Sequence, residues 1–393
     1  MTRACRLAVL PALLVCALPS LARSQTIIVR ETAGIRRTQF PVVARVPLVR
    51  GALADPGRAR LTAGETETPA QFSAAARWED GSVRSLNVIF NVSVGPGESQ
   101  TYRLEHGVGA GPGTPARGMI VTEDADSIQA GSLRFSKRAG PLVASANYRG
   151  EFVGKGGNGL RVVDNTGVVH EAGLQGPRHV ELVERGPLLA SIRYGYTIPV
   201  DAAYSADATI AIEAPSSKSW LKASVAVDDP ARRLREIVFE LPLAFGAHPW
   251  TWDIGTPNGT YGALRSPTDA ATFTYTMPAR GAATWRVENG TKGELRPYEV
   301  SVGARSVPVT GWVHIQDATK AVALAVADFG KSPGTYAITL DGQGQTAFRF
   351  SPLQPTTTHR LTVYAHFVAT PIPIGAATSP ASILAPLTVE ITN

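Results

Sequence analysis

From Val83 to Val94 the apolar residues Leu86, Val88, Phe90, Val92 and Val94 fall on every second position. Successive side chains of a strand point to opposite faces, so this alternation predicts a strand with one face buried. The same period recurs over 189–198, 208–213, 220–227, 237–241, 321–329 and 361–368. A 3.6-residue period is scarcely found, and 38 Gly and 29 Pro break the chain into short segments. Many short strands divided by turn residues predict layered sheets over a core rather than an α/β fold.

Ahead of the first strand stands Arg77-Trp78-Glu79-Asp80-Gly81-Ser82, where Asp-Gly predicts a tight turn because glycine accepts the positive φ it needs. The composition shifts once, at Gly107-Val108-Gly109-Ala110-Gly111-Pro112-Gly113-Thr114-Pro115, a Gly/Pro linker over 107–115. It divides the chain into an N-terminal β domain, 25–106, and a larger one, 116–393. The second exceeds a seven-strand sandwich, and a large β-supersandwich is expected there. No helical segment is expected anywhere.

The first 24 residues read as a secretory leader rather than as part of the fold. Arg3 and Arg6 precede an apolar run, and Ala22-Arg23-Ser24 offers a small-x-small cleavage site before Gln25. The run is short for a bilayer span and holds Pro11, so a secreted or periplasmic protein without a transmembrane segment is expected. Both cysteines, Cys5 and Cys16, lie in the leader, which leaves the remainder without disulfides or thiolate chemistry. Removing the leader lowers the formal charge from +6 to +3. No basic run interleaves with aromatics, so nucleic acid is not an expected partner.

Several familiar patterns fail on context. Gly154-x-Gly156-x-x-Gly159 fits a dinucleotide fingerprint, but β-type residues follow it and no helix is there to receive a pyrophosphate. A glycine-rich turn is the expected structure. The seven histidines are scattered without ligand spacing, so no metal and no cofactor is expected.

One loop carries chemistry. Phe245-Gly246-Ala247-His248-Pro249-Trp250-Thr251-Trp252-Asp253 continues to Tyr261 and Arg265. Tryptophan faces stack on sugar rings, and an arginine holds a carboxylate through paired hydrogen bonds. Elimination at a uronate needs its carboxylate neutralised, a base for the α proton and an acid for the leaving oxygen. His248, Tyr261 and Arg265 are the candidate catalytic residues, and Trp250, Trp252 and Asp253 the candidate sugar contacts. Arg178 and His179, after the Gly176-Pro177 turn, form a second candidate contact. Loop aromatics capping a sandwich are the structural alternative.

Four stretches, in order, resemble the non-helical part of the exo-rhamnogalacturonan lyase family. They are Phe40-Pro41-Val42 through Arg84; Gly186-Pro187-Leu188-Leu189 to Leu241-Pro242-Leu243; Gly311-Trp312-Val313 through Asp328-Phe329 and Phe350-Ser351-Pro352; and Thr358-His359-Arg360-Leu361. The resemblance implies a RIFT-barrel N-terminal domain, a central β-sandwich and action on rhamnogalacturonan-like glycans. Ser85 stands where that family has Trp, Gly330-Lys331-Ser332 replaces expected aromatics, and the family's (α/α) toroid is not expected within these residues. The expectation is a secreted carbohydrate-binding β protein related to polysaccharide lyases, without the full catalytic apparatus. Its partner would be a polysaccharide or oligosaccharide, acidic ones included. The alternative is a lyase cleaving uronate-containing glycans by β-elimination.

Overall fold

The structure, a computed structural model, describes residues 23–107, 110, 113, 116–300, 309–327, 329–374 and 379–392. Most of the expected leader, most of the Gly/Pro linker and Asp328 lie outside the described residues.

Almost every described element is an antiparallel strand. Two large sheets form the sandwich. The nine-stranded sheet runs, edge to edge, His179–Arg185, Leu189–Pro199, Ser205–Pro215, Trp220–Asp228, Thr358–Val368, Ala321–Val326, Trp312–Gln316, Trp250–Ile254 and Tyr261–Leu264. The eight-stranded sheet runs Val169–Glu171, Gly159–Asp164, Leu234–Pro242, Gln345–Pro352, Gly334–Asp341, Asp269–Met277, Thr284–Thr291 and Glu294–Val300. The alternation decides which side is buried. Ile192, Tyr194, Ile210, Val225, Leu324 and Val363 from one sheet meet Ile237, Phe239, Phe273, Ile338 and Phe348 from the other. A four-stranded meander, Val121–Glu123 to Val143–Ala146, adds Ile128, Leu133 and Phe135 to that core.

The N-terminal region has its own core, built on Ile27, Val29, Val46, Leu86, Phe90 and Leu104. Its strands form two hydrogen-bonded sheets, one of five strands and one of three. Val83–Val94 is the central strand of the smaller one, with Gln71–Arg77 and Arg37–Pro47 beside it. The turn before it has Gly81 at φ 82°, and the Asp80 carboxylate accepts from the Ser82 amide at 3.0 Å and its hydroxyl at 2.6 Å. The tight turn expected from Asp-Gly is formed, closed by the Asp80 side chain as an Asx turn.

The two regions meet through a buried polar seam. Gln71, Ser73 and Asn87 all donate to the Glu184 carboxylate, with both amide contacts at 2.9 Å. Gln71 Oε1 in turn accepts from the amides of Leu188 and Leu189. The Glu184 oxygens and the Gln71 amide are thus paired out of water, while Asn87 Oδ1 has no partner among the described residues.

Two expectations are corrected at the chain end. A six-residue helix, Ser379–Leu384, is present although none was expected; its apolar residues are too few to show a helical period. The strand after it, Thr388–Thr392, leaves the sandwich and pairs with Arg23–Arg30 in the five-stranded sheet, so 116–393 is not one unit. Val389 and Ile391 alternate within that strand, but alternation does not say which sheet receives it. No helix among the described residues is long and apolar enough to cross a membrane.

Candidate functional site

The loop chosen from sequence splits between surface and core. Trp250 and Trp252 point into the sandwich, 4% and 0% exposed, and Trp252 is among its largest fully buried side chains. Neither ring offers a face to a sugar, so their expected stacking role is corrected. Alternation in Trp250–Ile254 is the cause, because Trp250, Trp252 and Ile254 share the inner face. Asp253 turns the other way but is only 2% exposed, with its Oδ1 2.7 Å from His314 Nδ1. It too is unavailable as a surface sugar contact.

His248 stacks on the Trp250 ring with centroids 4.2 Å apart, after a cis peptide to Pro249. Arg265 donates its backbone amide to Asp269 Oδ2 at 2.6 Å. Burial pushes the Asp269 carboxyl up, yet the Arg265 and Ser266 donors and the His248 charge outweigh it and hold the group below the usual carboxylate range. His248 and the main chain of Arg265, rather than its guanidinium, therefore bear on Asp269. Tyr261 is 57% exposed at the other end of Tyr261–Leu264, roughly 13 Å from Arg265 at strand rise. The three candidate catalytic residues do not converge.

Arg178 and His179 are exposed at the opposite edge of the nine-stranded sheet, on or before its first strand. Seven strand spacings put them about 34 Å from the Trp250–Ile254 strand. Arg178 spends its guanidinium on Thr197 and Asp207, both at 3.2 Å.

The groove with the most polar chemistry lies elsewhere, at the glycine-rich run. As expected, Gly154 to Gly159 leads into a strand, Gly159–Asp164, and not into a helix. Asn158 ties the run to the meander, accepting from the Val143 amide at 3.0 Å and donating to its carbonyl at 2.8 Å. Gln345 braces it by donating to the Gly157 carbonyl at 2.9 Å. Between this loop, Pro141, Ala144 and the turn at Gly173-Leu174 opens a groove of about 610 Å³. That volume falls within the range of small-molecule sites, roughly 300–1,000 Å³.

Its charged residues are Lys155, Arg161, Glu171 and Glu240. Arg161 Nη1 donates to Glu240 Oε1 at 2.6 Å, and its Nε is 3.7 Å from Glu171. Glu240 is 4% exposed, and its Oε2 has no partner among the described residues. A buried carboxylate oxygen without a donor is costly and marks a place for an incoming hydroxyl or water. Lys155 is exposed above it. None of these four residues was singled out in the sequence. The available signal was Glu240 itself, a charge inside the otherwise apolar run Ile237-Val238-Phe239-Glu240-Leu241. Among the described residues no group of three or more His, Cys, Asp or Glu is placed to hold a metal.

No protein-family model and no curated protein sequence matches the chain. Solved structures do. A protein in the glycosyl hydrolase family 38 from Enterococcus faecalis is similar with a TM-score of 0.57 at 10% identity, over 96% of this chain and 48% of that one. A putative aldose 1-epimerase from Klebsiella pneumoniae subsp. pneumoniae is similar with a TM-score of 0.43 at 9% identity, over 66% of this chain and 82% of that one. The chain thus spans about half the length of the Enterococcus protein. At 10% identity the likeness to the Enterococcus protein establishes the fold alone, a large all-β sandwich architecture.

Proposed function

We propose that this chain is a secreted carbohydrate-binding β protein, and that the glycan lies in the glycine-rich groove. One observation carries the reading: the buried, unpartnered Glu240 Oε2 in a groove of saccharide size rimmed by Lys155 and Arg161. Sugar hydroxyls donate well to carboxylates, and the exposed Lys155 ammonium suits a uronate carboxylate. Glycine at 156 and 157 makes room for the Gln345 and Glu240 side chains that a Cβ there would displace. The likeness to an Enterococcus faecalis protein in the glycosyl hydrolase family 38 supports a sugar ligand. The family resemblance adds the relation to rhamnogalacturonan lyases, with the N-terminal region as counterpart of their RIFT barrel. The leader read from the sequence goes with secretion or a periplasmic location.

The second reading, β-elimination at the loop, is favoured by the nearness of His248 to Asp269. The separation of Tyr261 counts against it. Affinity electrophoresis against pectic and other uronate polysaccharides, with ultraviolet absorbance of unsaturated uronate followed in parallel, separates the two. Retardation without absorbance is the expected result. Rising absorbance would establish a lyase, and neither signal across the panel would overturn the carbohydrate reading.

A further inference from the structure

The three strands of the smaller N-terminal sheet bring three side chains together at one end of it. Trp78 follows Gln71–Arg77, Arg84 is the second residue of Val83–Val94, and Arg50 stands three residues past Arg37–Pro47. Main-chain bonds fix their places. The Trp78 amide donates to the Ser82 carbonyl at 2.8 Å, and the Gly81 amide to the Trp78 carbonyl at 3.0 Å. The Leu48 amide donates to the Arg84 carbonyl at 2.9 Å, which lays the segment before Arg50 along Arg84. Arg77 ties the turn down by donating to the Ala54 and Gly81 carbonyls at 3.0 and 2.7 Å.

Both remaining guanidinium groups lie on the Trp78 indole. Arg84 Cζ is 5.1 Å and Arg50 Cζ 5.6 Å from the ring centroid, within the reach of cation–π attraction. The indole itself is held, because its Nε1 donates to the Leu48 carbonyl at 3.2 Å. An arginine resting on a ring keeps its N–H groups for other partners. Two like charges beside one ring also repel each other, a cost that an anion between them would offset.

Little acid is present to do so. Arg84 is exposed and makes no ion pair among the described residues. Arg50 has Glu79 at 3.7 Å, between side chains 58% and 94% exposed, a pair of small worth that exchanges readily. Asp80, the other carboxylate of the turn, is committed to Ser82. Beside the indole opens a hollow of about 580 Å³, within the range of small-molecule sites. Pro47, Leu48, Val49 and Trp78 give it an apolar wall, and Val49 is 57% exposed there.

We propose that this hollow binds a carboxylate carried on a ring, with Arg50 and Arg84 on the carboxylate and Pro47 and Val49 against the ring. Sugar acids and aryl acids share that chemistry. The indole holds the two guanidinium groups in place and leaves their paired donors to the two carboxylate oxygens. Glu79 is the carboxylate that the ligand displaces at Arg50. The site belongs to the N-terminal region and does not rest on the glycine-rich groove.

Tryptophan fluorescence of the full chain, titrated with digalacturonate and separately with phenylacetate, tests the site. A saturable change in emission is expected with at least one of them, and the acid that gives it identifies the source. The neutral counterparts, galactobiose and phenylacetamide, are expected to bind about tenfold more weakly or worse, as a lost charged hydrogen bond implies. Arg84→Gln and Arg50→Gln are each expected to lose about the same factor, and Glu79→Gln to gain about threefold. No response to either acid would overturn the site. Equal affinity for acid and neutral counterpart, or unchanged affinity in both arginine variants, would do so too. The same emission change in Trp78→Phe would place the ligand elsewhere and equally overturn it.

Discussion

Gly157 lies directly over Glu240, so that a Cβ on the glycine would overlap the carboxylate Oε2. The contact explains why the loop is glycine here without invoking a phosphate. Gly157→Ala must push Glu240 aside, and Glu240 is pinned by Arg161 at 2.6 Å. Displacing it costs about 1–3 kcal/mol, as overpacking does. Urea unfolding is expected to show that loss, together with weaker retardation by polysaccharide.

Trp252 gives the opposite pattern. Truncating a fully buried tryptophan removes packing on all sides, and Trp252→Ala should cost about 3–5 kcal/mol. Glycan retardation of the folded fraction is expected to stay unchanged. A normal unfolding midpoint with lost retardation would return the tryptophan to a binding role.

Acid should destabilise the protein through His366. In the unfolded chain this imidazole takes up its proton near 6.5, whereas burial, with the Lys218 charge adding to it, holds the folded value down to about 4. Between those values the unfolded chain binds the extra proton. Stability therefore falls as pH drops through that window and levels off below it. The full difference is on the order of 3 kcal/mol. His366→Gln should flatten that part of the stability–pH curve, and an unchanged slope between pH 6.5 and 4 would contradict the assignment.

Arg265→Ala, at the surface, is expected to leave stability within about 0.5 kcal/mol of the parent. His248→Ala loses the stacking on Trp250, about 0.5–1.5 kcal/mol. Neither is expected to change retardation. Loss of retardation in either would move the site from the groove to the loop around Asp269.

The strand pattern was legible because burial acts at every second residue. Val83–Val94 spans the residues the alternation gave, and Trp220–Asp228 differs by one. The same rule, applied to Trp250–Ile254, turns two tryptophans inward, a consequence hidden by their apparent place in a loop. The groove was not legible. Lys155, Arg161, Glu171 and Glu240 are brought together by pairing of Gly159–Asp164 with Leu234–Pro242, some eighty residues apart, and no local pattern announces that register. The helix at the chain end escaped for another reason. Its place is set by Arg37 and the apolar pocket at Phe40 and Trp220, contacts more than 150 residues distant in sequence.

The most direct test of the central claim is calorimetric titration of oligogalacturonides into the parent chain, Lys155→Ala and Glu240→Gln. Glu240→Gln keeps the side-chain shape while removing the charge. The account predicts binding to the parent and a loss of tenfold or more in each variant, equivalent to about 1.4 kcal/mol. Affinity equal in all three proteins would contradict it and place the glycan outside the glycine-rich groove.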